Sequence, residues 1–274
     1  MNQGISKKKL KEYLRGVKRV SVVGAGTFGS LWATLLATKF PVDIWSAHST
    51  YKPYKQIKKR CEVRSVPFEK LFDNSVIFIC TSINSIPEVA QKMLPFIKDN
   101  SLVLDCCSIK SYPLKQLSSI LPPSVMILGT HPMFGPDSAQ KGVAKLPIVL
   151  TPCRSDETLL KIWESIFSSF NLSVVVMDSD AHDKEAAYTQ GLTHFVGRVS
   201  KALVAQCEES SIATNNYKNF SAMVNSICND SIELFIGMQK YNPYMKEVQE
   251  DFLKSLNAVC ALLNKEGLQG EKNG

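Results

Sequence analysis

The chain has 274 residues, 45% of them hydrophobic and 21% charged, with a formal net charge of +7. That length suits two modest domains, and the balance is that of an ordinary water-soluble globular protein, with apolar runs no longer than a strand and therefore no membrane-spanning helix. The basic residues are scattered without a nucleic-acid motif, so the positive field points to small anions such as nucleotide phosphates and carboxylates rather than to nucleic acid.

In chain order, the first residues are basic (Lys7, Lys8, Lys9). They have neither the apolar core of a secretory signal nor the serine- and arginine-rich character of a transit peptide, so a cytoplasmic location is expected. Residues 19–24 read as a short buried strand, 27–38 as a helix rich in Leu and Ala, and 42–45 as a second strand. Further apolar runs fall at 76–80, 102–105, 125–128, 148–150 and 174–177, with helix-like stretches at 86–93, 113–120 and 157–170. Strands alternating with helices predict βαβ units and a mostly parallel sheet. Beyond residue 181 the strand signals stop, and helices are predicted over 183–207, 218–238 and 244–265, with Pro243 as a break. The expected fold class is α/β: an N-terminal Rossmann dinucleotide-binding domain over 18–178, then an all-helical C-terminal domain over 179–274.

Gly24-Ala25-Gly26-Thr27-Phe28-Gly29 matches GxGxxG between a strand and a helix. The first glycine allows the tight turn, the second a close approach to a pyrophosphate, and the third close helix–strand packing; the helix N-terminus then faces the phosphates. Thr27, Phe28 and, after the strand at 76–80, Thr81 complete the expected dinucleotide site. An acidic residue at the end of the second strand selects NAD. Asp43 lies about 20 residues after Gly24, the spacing of that acid, but three more strand-like positions follow it, and the strand end falls on Ser46. Ser46 and His48, with Lys52 or Lys55 nearby, suit a 2′-phosphate, so NADP is favoured over NAD.

Eight cysteines without a CxxC pair or a histidine–cysteine cluster read as reduced and mostly buried, with no metal site.

After the apolar segment 125–129 stands His131-Pro132-Met133-Phe134-Gly135-Pro136-Asp137-Ser138. A histidine at a strand end lies where open α/β sheets place their chemistry. Before it comes Cys107-Ser108-Ile109-Lys110; after it come His182-Asp183-Lys184 and Gln190-Gly191-Leu192-Thr193-His194-Phe195-Val196-Gly197-Arg198-Val199. In this order the segments resemble the prephenate/arogenate dehydrogenase family over roughly residues 18–260, most of all its plant-like, arogenate-specific branch. Ser108 also reads as a helix N-cap, and His182 as a residue that starts a helix or joins the two domains.

The resemblance implies oxidative decarboxylation of L-arogenate to L-tyrosine, with hydride transfer to NADP. His131 is then the catalytic histidine, with Ser108 sharing a hydrogen bond with it or with the substrate hydroxyl. An imidazole of ordinary pKa is largely neutral at pH 7 and suits removal of a hydroxyl proton. The resemblance places Gln190, Thr193 and His194 in the substrate pocket, with Gln190 and His194 four apart on one helix face. It adds Thr214 and, sixteen residues later, Asp230, whose carboxylate would select the aminated substrate. No arginine stands in 214–223 to hold a substrate carboxylate, and Arg198 and Lys218 are the alternatives. A homodimer built through the helical domain is implied, with no fused chorismate mutase or regulatory domain. The rivals are a prephenate dehydrogenase forming 4-hydroxyphenylpyruvate, a hydroxyacid or imine reductase of similar build, and a nucleotide-sensing protein without turnover.

Overall fold

A computed structural model describes residues 5–58, 60–207 and 210–270, which divide into two compact units, Met1–His182 and Asp183–Gly274. In the first unit, short β-branched and aliphatic runs form one eight-stranded sheet: β1 (Val20–Val23), β2 (Val42–Trp45), β3 (Val63–Ser65), β4 (Val76–Ile79), β5 (Leu102–Asp105), β6 (Met126–Pro132), β7 (Pro147–Arg154) and β8 (Ser173–Val176). The order is β3-β2-β1-β4-β5-β6-β7-β8. Every pairing is parallel except β6 with β7. Strand order reverses between β1 and β4, which opens a crevice at their carboxyl ends where doubly wound sheets bind ligands.

Among the described residues, five α-helices belong wholly to this unit: α1 (Lys7–Gly16), α2 (Thr27–Leu36), α3 (Ile86–Met93), α4 (Ser111–Ile120) and α5 (Glu157–Ser168). The central strands β1, β4 and β5 are buried along their whole length, because helices cover both faces of a parallel sheet. One hydrophobic cluster gathers Trp32, Phe78, Trp163 and Phe167; the other gathers Ile77, Ile79, Val103 and Ile127. Each fully buried side chain of this size contributes roughly 1.5–3 kcal/mol.

Two elements carry too weak a pattern to be read in advance. α1 is lysine-rich with an apolar stripe of Leu10, Tyr13 and Leu14 packed on the core, and β3 is a three-residue edge strand. β6 runs past residue 128 to Pro132, so His131 lies inside the strand rather than after it, paired with Val149 of β7. The cysteines are all free, but only Cys107 is buried, while Cys153, Cys207 and Cys260 are exposed; the expectation of mostly buried thiols is corrected.

The unit boundary falls inside α6 (Ser179–Ala186). The second unit is helical: a π-helical turn at Ala187–Gly191, then α7 (Leu192–Val204), α8 (Asn215–Asn229), α9 (Ile232–Tyr241) and α10 (Met245–Gly270). The single helix expected over 218–238 is two, because Asp230 adopts an extended conformation and the Ser231 side chain caps α9 through Leu234 N–H. Gly197 of α7 lets α8 approach closely, since a Cβ there would lie 3.1 Å from Ile227. Among the described residues, no helix is long and apolar enough to cross a membrane.

Candidate active site

The glycine turn follows β1. Gly24 has φ +105°, and a Cβ there would sit 2.6 Å from the Cys80 carbonyl oxygen at the end of β4; its N–H is held by the Trp45 carbonyl at 2.7 Å. A Cβ on Gly29 would lie 2.0 Å from the Gly24 carbonyl oxygen, so only glycine lets α2 start this close to β1. Gly26, by contrast, has open space where a Cβ would stand. Gly26 and Thr27 are exposed, Phe28 half-buried and stacked on Trp32. The first N–H groups of a helix have no partner within it, so the start of α2 offers donors and a positive dipole end to a phosphate. Across the crevice, Thr81 Oγ1 is buried without a hydrogen-bond partner. The open cradle and this orphaned hydroxyl fit a dinucleotide.

Asp43 is committed elsewhere. It is 2% exposed and accepts from Arg19 at 3.1 Å, Arg64 at 2.8 and 3.0 Å, and Asn74 at 3.0 Å. Burial alone would raise its pKa; the Arg64 and Asn74 hydrogen bonds and the two arginine charges outweigh burial and lower it. It is a fixed ionic staple, and β2 ends at Trp45, leaving half-buried Ser46 and exposed His48 beyond the strand. The following segment is pinned to α2: Lys52 N–H donates to Ser30 Oγ at 3.2 Å, Tyr54 N–H to Thr34 Oγ1 at 3.1 Å, and Tyr51 Oη lies 3.1 Å from Thr34 Oγ1.

His131 and its surroundings are the most buried polar cluster of this unit. His131 and His182 are each 2% exposed, with His131 Nδ1 2.8 Å from His182 Nε2 and the rings edge-on at 66°. Burial, then the neighbouring His182 and Lys110, hold the His131 pKa well below the usual imidazole value, so the ring is neutral. Beneath it Lys110, fully buried, pairs with the Asp105 carboxylate and donates to the Thr130 carbonyl at 2.6 Å. Thr130 Oγ1 donates to the Asp105 carbonyl at 2.6 Å, and Cys107 N–H donates to the Asp105 carboxylate at 3.0 Å. Burial pushes the Asp105 pKa up, against the pull of the Lys110 charge. The loop after His131 is equally fixed: Met133 N–H donates to the Pro147 carbonyl at 2.9 Å, Phe134 packs on Trp32, and Tyr54 Oη donates to the Pro136 carbonyl.

Ser108 is half-buried in the loop between β5 and α4. It is not a helix N-cap, because α4 starts at Ser111 with Lys110 in the cap position. No hydrogen bond joins it to His131 among the described residues; His131 Nδ1 faces His182 Nε2 instead. Sequence reasoning passed over Asp105 and Lys110, and read His182 only as a residue that starts a helix or joins the two domains, where it does lie. The usable signal for the first two was an oppositely charged pair five residues apart, the first of them ending the apolar run 102–104. His182 had no signal beyond Asp178 before it, whose carboxylate caps α6 by accepting from Asp180 and Ala181 N–H at 3.0 and 2.9 Å.

In the second unit, His194 is 8% exposed and its Nε2 lies 3.8 Å from Asp230 Oδ2. Burial and the Arg198 charge lower its pKa to about 4. At neutral pH the ring is therefore uncharged, and 3.8 Å is too long for a hydrogen bond; the contact is a juxtaposition, not an ion pair. Arg198 donates to the Asp230 backbone carbonyl and lies 5.5 Å over the Phe235 ring, while its Nε is buried without a partner. The Asp230 side chain is 44% exposed. Gln190 sits half-buried in the π turn, a helix irregularity frequent at functional sites, and the Thr193 hydroxyl donates to the Thr189 carbonyl. Thr214 does not join this group. It caps the N-terminus of α8 by accepting from Tyr217 N–H at 3.2 Å, whereas Asp230 caps the other end of the same helix, roughly 24 Å away at 1.5 Å per residue. Lys218 is exposed near that far end.

Residues 52–176 match the family model described as prephenate dehydrogenase, nucleotide-binding domain, and residues 203–272 match the TYRAAT1-like, C-terminal domain. Arogenate dehydrogenase 1, chloroplastic, of Arabidopsis thaliana is 30% identical over 243 residues, covering 85% of this chain and 37% of that protein. Arogenate dehydrogenase 2, chloroplastic, of the same plant is 30% identical over 248 residues, covering 85% of this chain and 66% of its own length. The chain thus spans between about a third and two thirds of these relatives. Among solved structures, a prephenate dehydrogenase from A. aeolicus with hydroxyphenyl propionate and NAD+ superposes with TM-score 0.69 at 19% identity, covering 91% of this chain and 92% of that one.

Proposed function

The chain belongs to the prephenate/arogenate dehydrogenase family, and we propose that it converts L-arogenate to L-tyrosine by oxidative decarboxylation with NADP. The observation that carries this reading is a neutral, buried imidazole at the carboxyl end of β6, in the same sheet whose β1 ends in the glycine turn. Gly24, Gly26, Thr27, Phe28, Gly29 and Thr81 would hold the dinucleotide. Asp43 is occupied by arginines, so Ser46 and His48 would meet the adenosine ribose, which favours a 2′-phosphate.

When bound, the oxidised nicotinamide accepts the hydride and its electron pair. His131 draws the hydroxyl proton as that hydride leaves, and gives it back as the bond to the ring carboxylate breaks and its electrons close the aromatic ring. Carbon dioxide departs, and the hydroxyl proton ends on the phenol. No net proton leaves the site, which suits a base this deeply buried. Ser108, half-buried beside β5, would bond the substrate oxygen rather than His131. Gln190, Thr193 and His194 would line the substrate pocket.

Asp230 would attract the side-chain ammonium of arogenate. The proximity of Arg198 favours a second reading, use of prephenate, because a cation beside Asp230 offsets its charge and suits a keto-acid. Exposed Leu253, Leu256, Val259, Leu262 and Leu263 on α10 form an apolar surface that supports the homodimer. The proposed compartment is the cytoplasm, in keeping with eight free thiols.

The test is a steady-state assay of arogenate and prephenate, each with NADP and NAD, followed by reduced-nicotinamide absorbance. Turnover with arogenate and NADP is expected. Turnover with prephenate alone would overturn the role of Asp230, and none with either substrate would overturn the activity.

A further inference from the structure

The pairing of two buried histidines constrains where each ring carries its proton. A neutral imidazole carries one N–H, so its two nitrogens cannot both donate or both accept. His131 Nδ1 faces His182 Nε2 at 2.8 Å, and a single proton lies between them. If His182 donated it, His131 would carry its own proton on Nε2 and could not accept another from a substrate hydroxyl. If His131 donates it, Nε2 keeps its lone pair and the base is armed.

We propose that His182 is the positioning residue for His131: its Nε2 accepts the His131 Nδ1–H, fixes the tautomer with a free lone pair on His131 Nε2, and holds the ring plane. This rests on the reading of His131 as the base. The support is geometric. His182 is set by the start of α6, where its N–H donates to the Asp178 carbonyl at 3.0 Å and the Asp178 carboxylate caps the helix. Ser111 Oγ donates to the Ser179 carbonyl at 3.2 Å, tying α6 to the start of α4. From the other side the Lys110–Thr130 hydrogen bond fixes the β6 backbone next to His131. The ring of His131 is thus held at its backbone and at Nδ1, leaving Nε2 as its reactive nitrogen. During the reaction the proton moves from the substrate oxygen to His131 Nε2 and back. The ring protonated in between keeps its Nδ1–H donated to the His182 lone pair, and no group is oxidised or reduced at either histidine. The logic is that of any general base whose far nitrogen is oriented by an acceptor.

The experiment is nitrogen NMR of the full chain labelled with 15N-histidine, without cofactor or substrate, with the four histidines assigned by single substitutions. His131 should show a protonated, hydrogen-bonded Nδ1 and a bare Nε2. In His182→Leu that signature should be lost, and kcat for arogenate with NADP should fall about 10²-fold, within the range of general-base catalysis, with KM and cofactor Kd little changed. His182→Gln, whose amide oxygen can accept the same proton, should restore most of kcat. A proton found on His131 Nε2 in the unsubstituted protein would overturn the proposal even if the leucine variant fails to fold. So would a folded leucine variant with unaltered tautomer and kcat. If the unsubstituted protein turns over neither substrate, the proposed activity fails while the tautomer measurement still decides the contact.

Discussion

The two polar clusters are built on opposite principles. The Asp105–Lys110–Thr130–His131–His182 cluster is almost wholly withdrawn from water, and strand pairing, a buried ion pair and a pinned loop fix its groups. The His194–Arg198–Asp230 cluster joins α7 to the end of α8, with a carboxylate that is 44% exposed and a histidine 3.8 Å from it. Groups that must meet a reacting atom within a fraction of an ångström are better placed on rigid, dry strands, where each polar contact is strong and each misplacement costly. Groups that only choose between an ammonium and a keto group can stay half in water, where their influence is weaker but adjustable.

The comparison breaks most sharply at His131. His131→Ala should lower kcat/KM for arogenate by about 10³- to 10⁴-fold while the NADP dissociation constant, read by fluorescence titration, stays within a few-fold. Collapse of cofactor binding as well would make the histidine structural. Next comes Lys110→Met, which leaves the fully buried Asp105 carboxylate uncompensated and should destabilise the first unit by at least about 3 kcal/mol in urea melts. Adding Asp105→Leu should recover much of that loss; equal instability of the double variant would deny the pair its role.

The fold of the first unit was largely legible because its strands are short, apolar and separated by helices of ordinary length. β2, β5 and α3 fall on the residues expected. The glycine turn announced itself for the same physical reason that it exists: no other residue fits where Cβ atoms would strike the Cys80 and Gly24 carbonyls. What stayed hidden depends on contacts distant in sequence. Nothing in His182-Asp183-Lys184 says that this ring lies 2.8 Å from one 51 residues earlier. Nothing in Ser-Ile-Lys says that the lysine, not the serine, is driven into the core. The break of 218–238 into α8 and α9 was hidden because Asp230-Ser231 reads equally as helix interior or as a pair of caps. The separation of Thr214 from Asp230 was hidden in the same way: a helix runs between them, so they stand at its opposite ends.

A milder discriminator is acid. His194 is held neutral, with a pKa lowered to about 4, against about 6.5 when unfolded. Between those values the unfolded chain binds more protons, so stability should fall as pH drops from about 6.5 to 4 and level off below. Carboxylates contribute too, so the measurement is the difference between the unsubstituted protein and His194→Gln. Their unfolding midpoints should differ by a constant amount above pH 6.5, with the variant losing less between pH 6.5 and 4; parallel curves would place His194 in water. The kcat profile should show no loss through pH 6.5, because burial keeps His131 neutral well below that value.

The smallest effect belongs to Asp230. Its carboxylate is 44% exposed, so water and salt screen whatever it offers the substrate, and exposed charge pairs contribute about 0.2–1 kcal/mol. Since about 1.4 kcal/mol is a factor of ten, Asp230→Asn should shift the ratio of kcat/KM values toward prephenate by no more than about fivefold, and raising the salt concentration should shrink that shift further. The backbone contact to Arg198 survives the substitution, because the guanidinium bonds the Asp230 carbonyl and not its side chain; the exchange therefore isolates charge from structure. A hundredfold shift would mean that the carboxylate is dry when substrate is bound, and that the second cluster closes around its ligand as tightly as the first is built. An unchanged ratio would pass the selection to Arg198 and make Asp230 only the residue that ends α8.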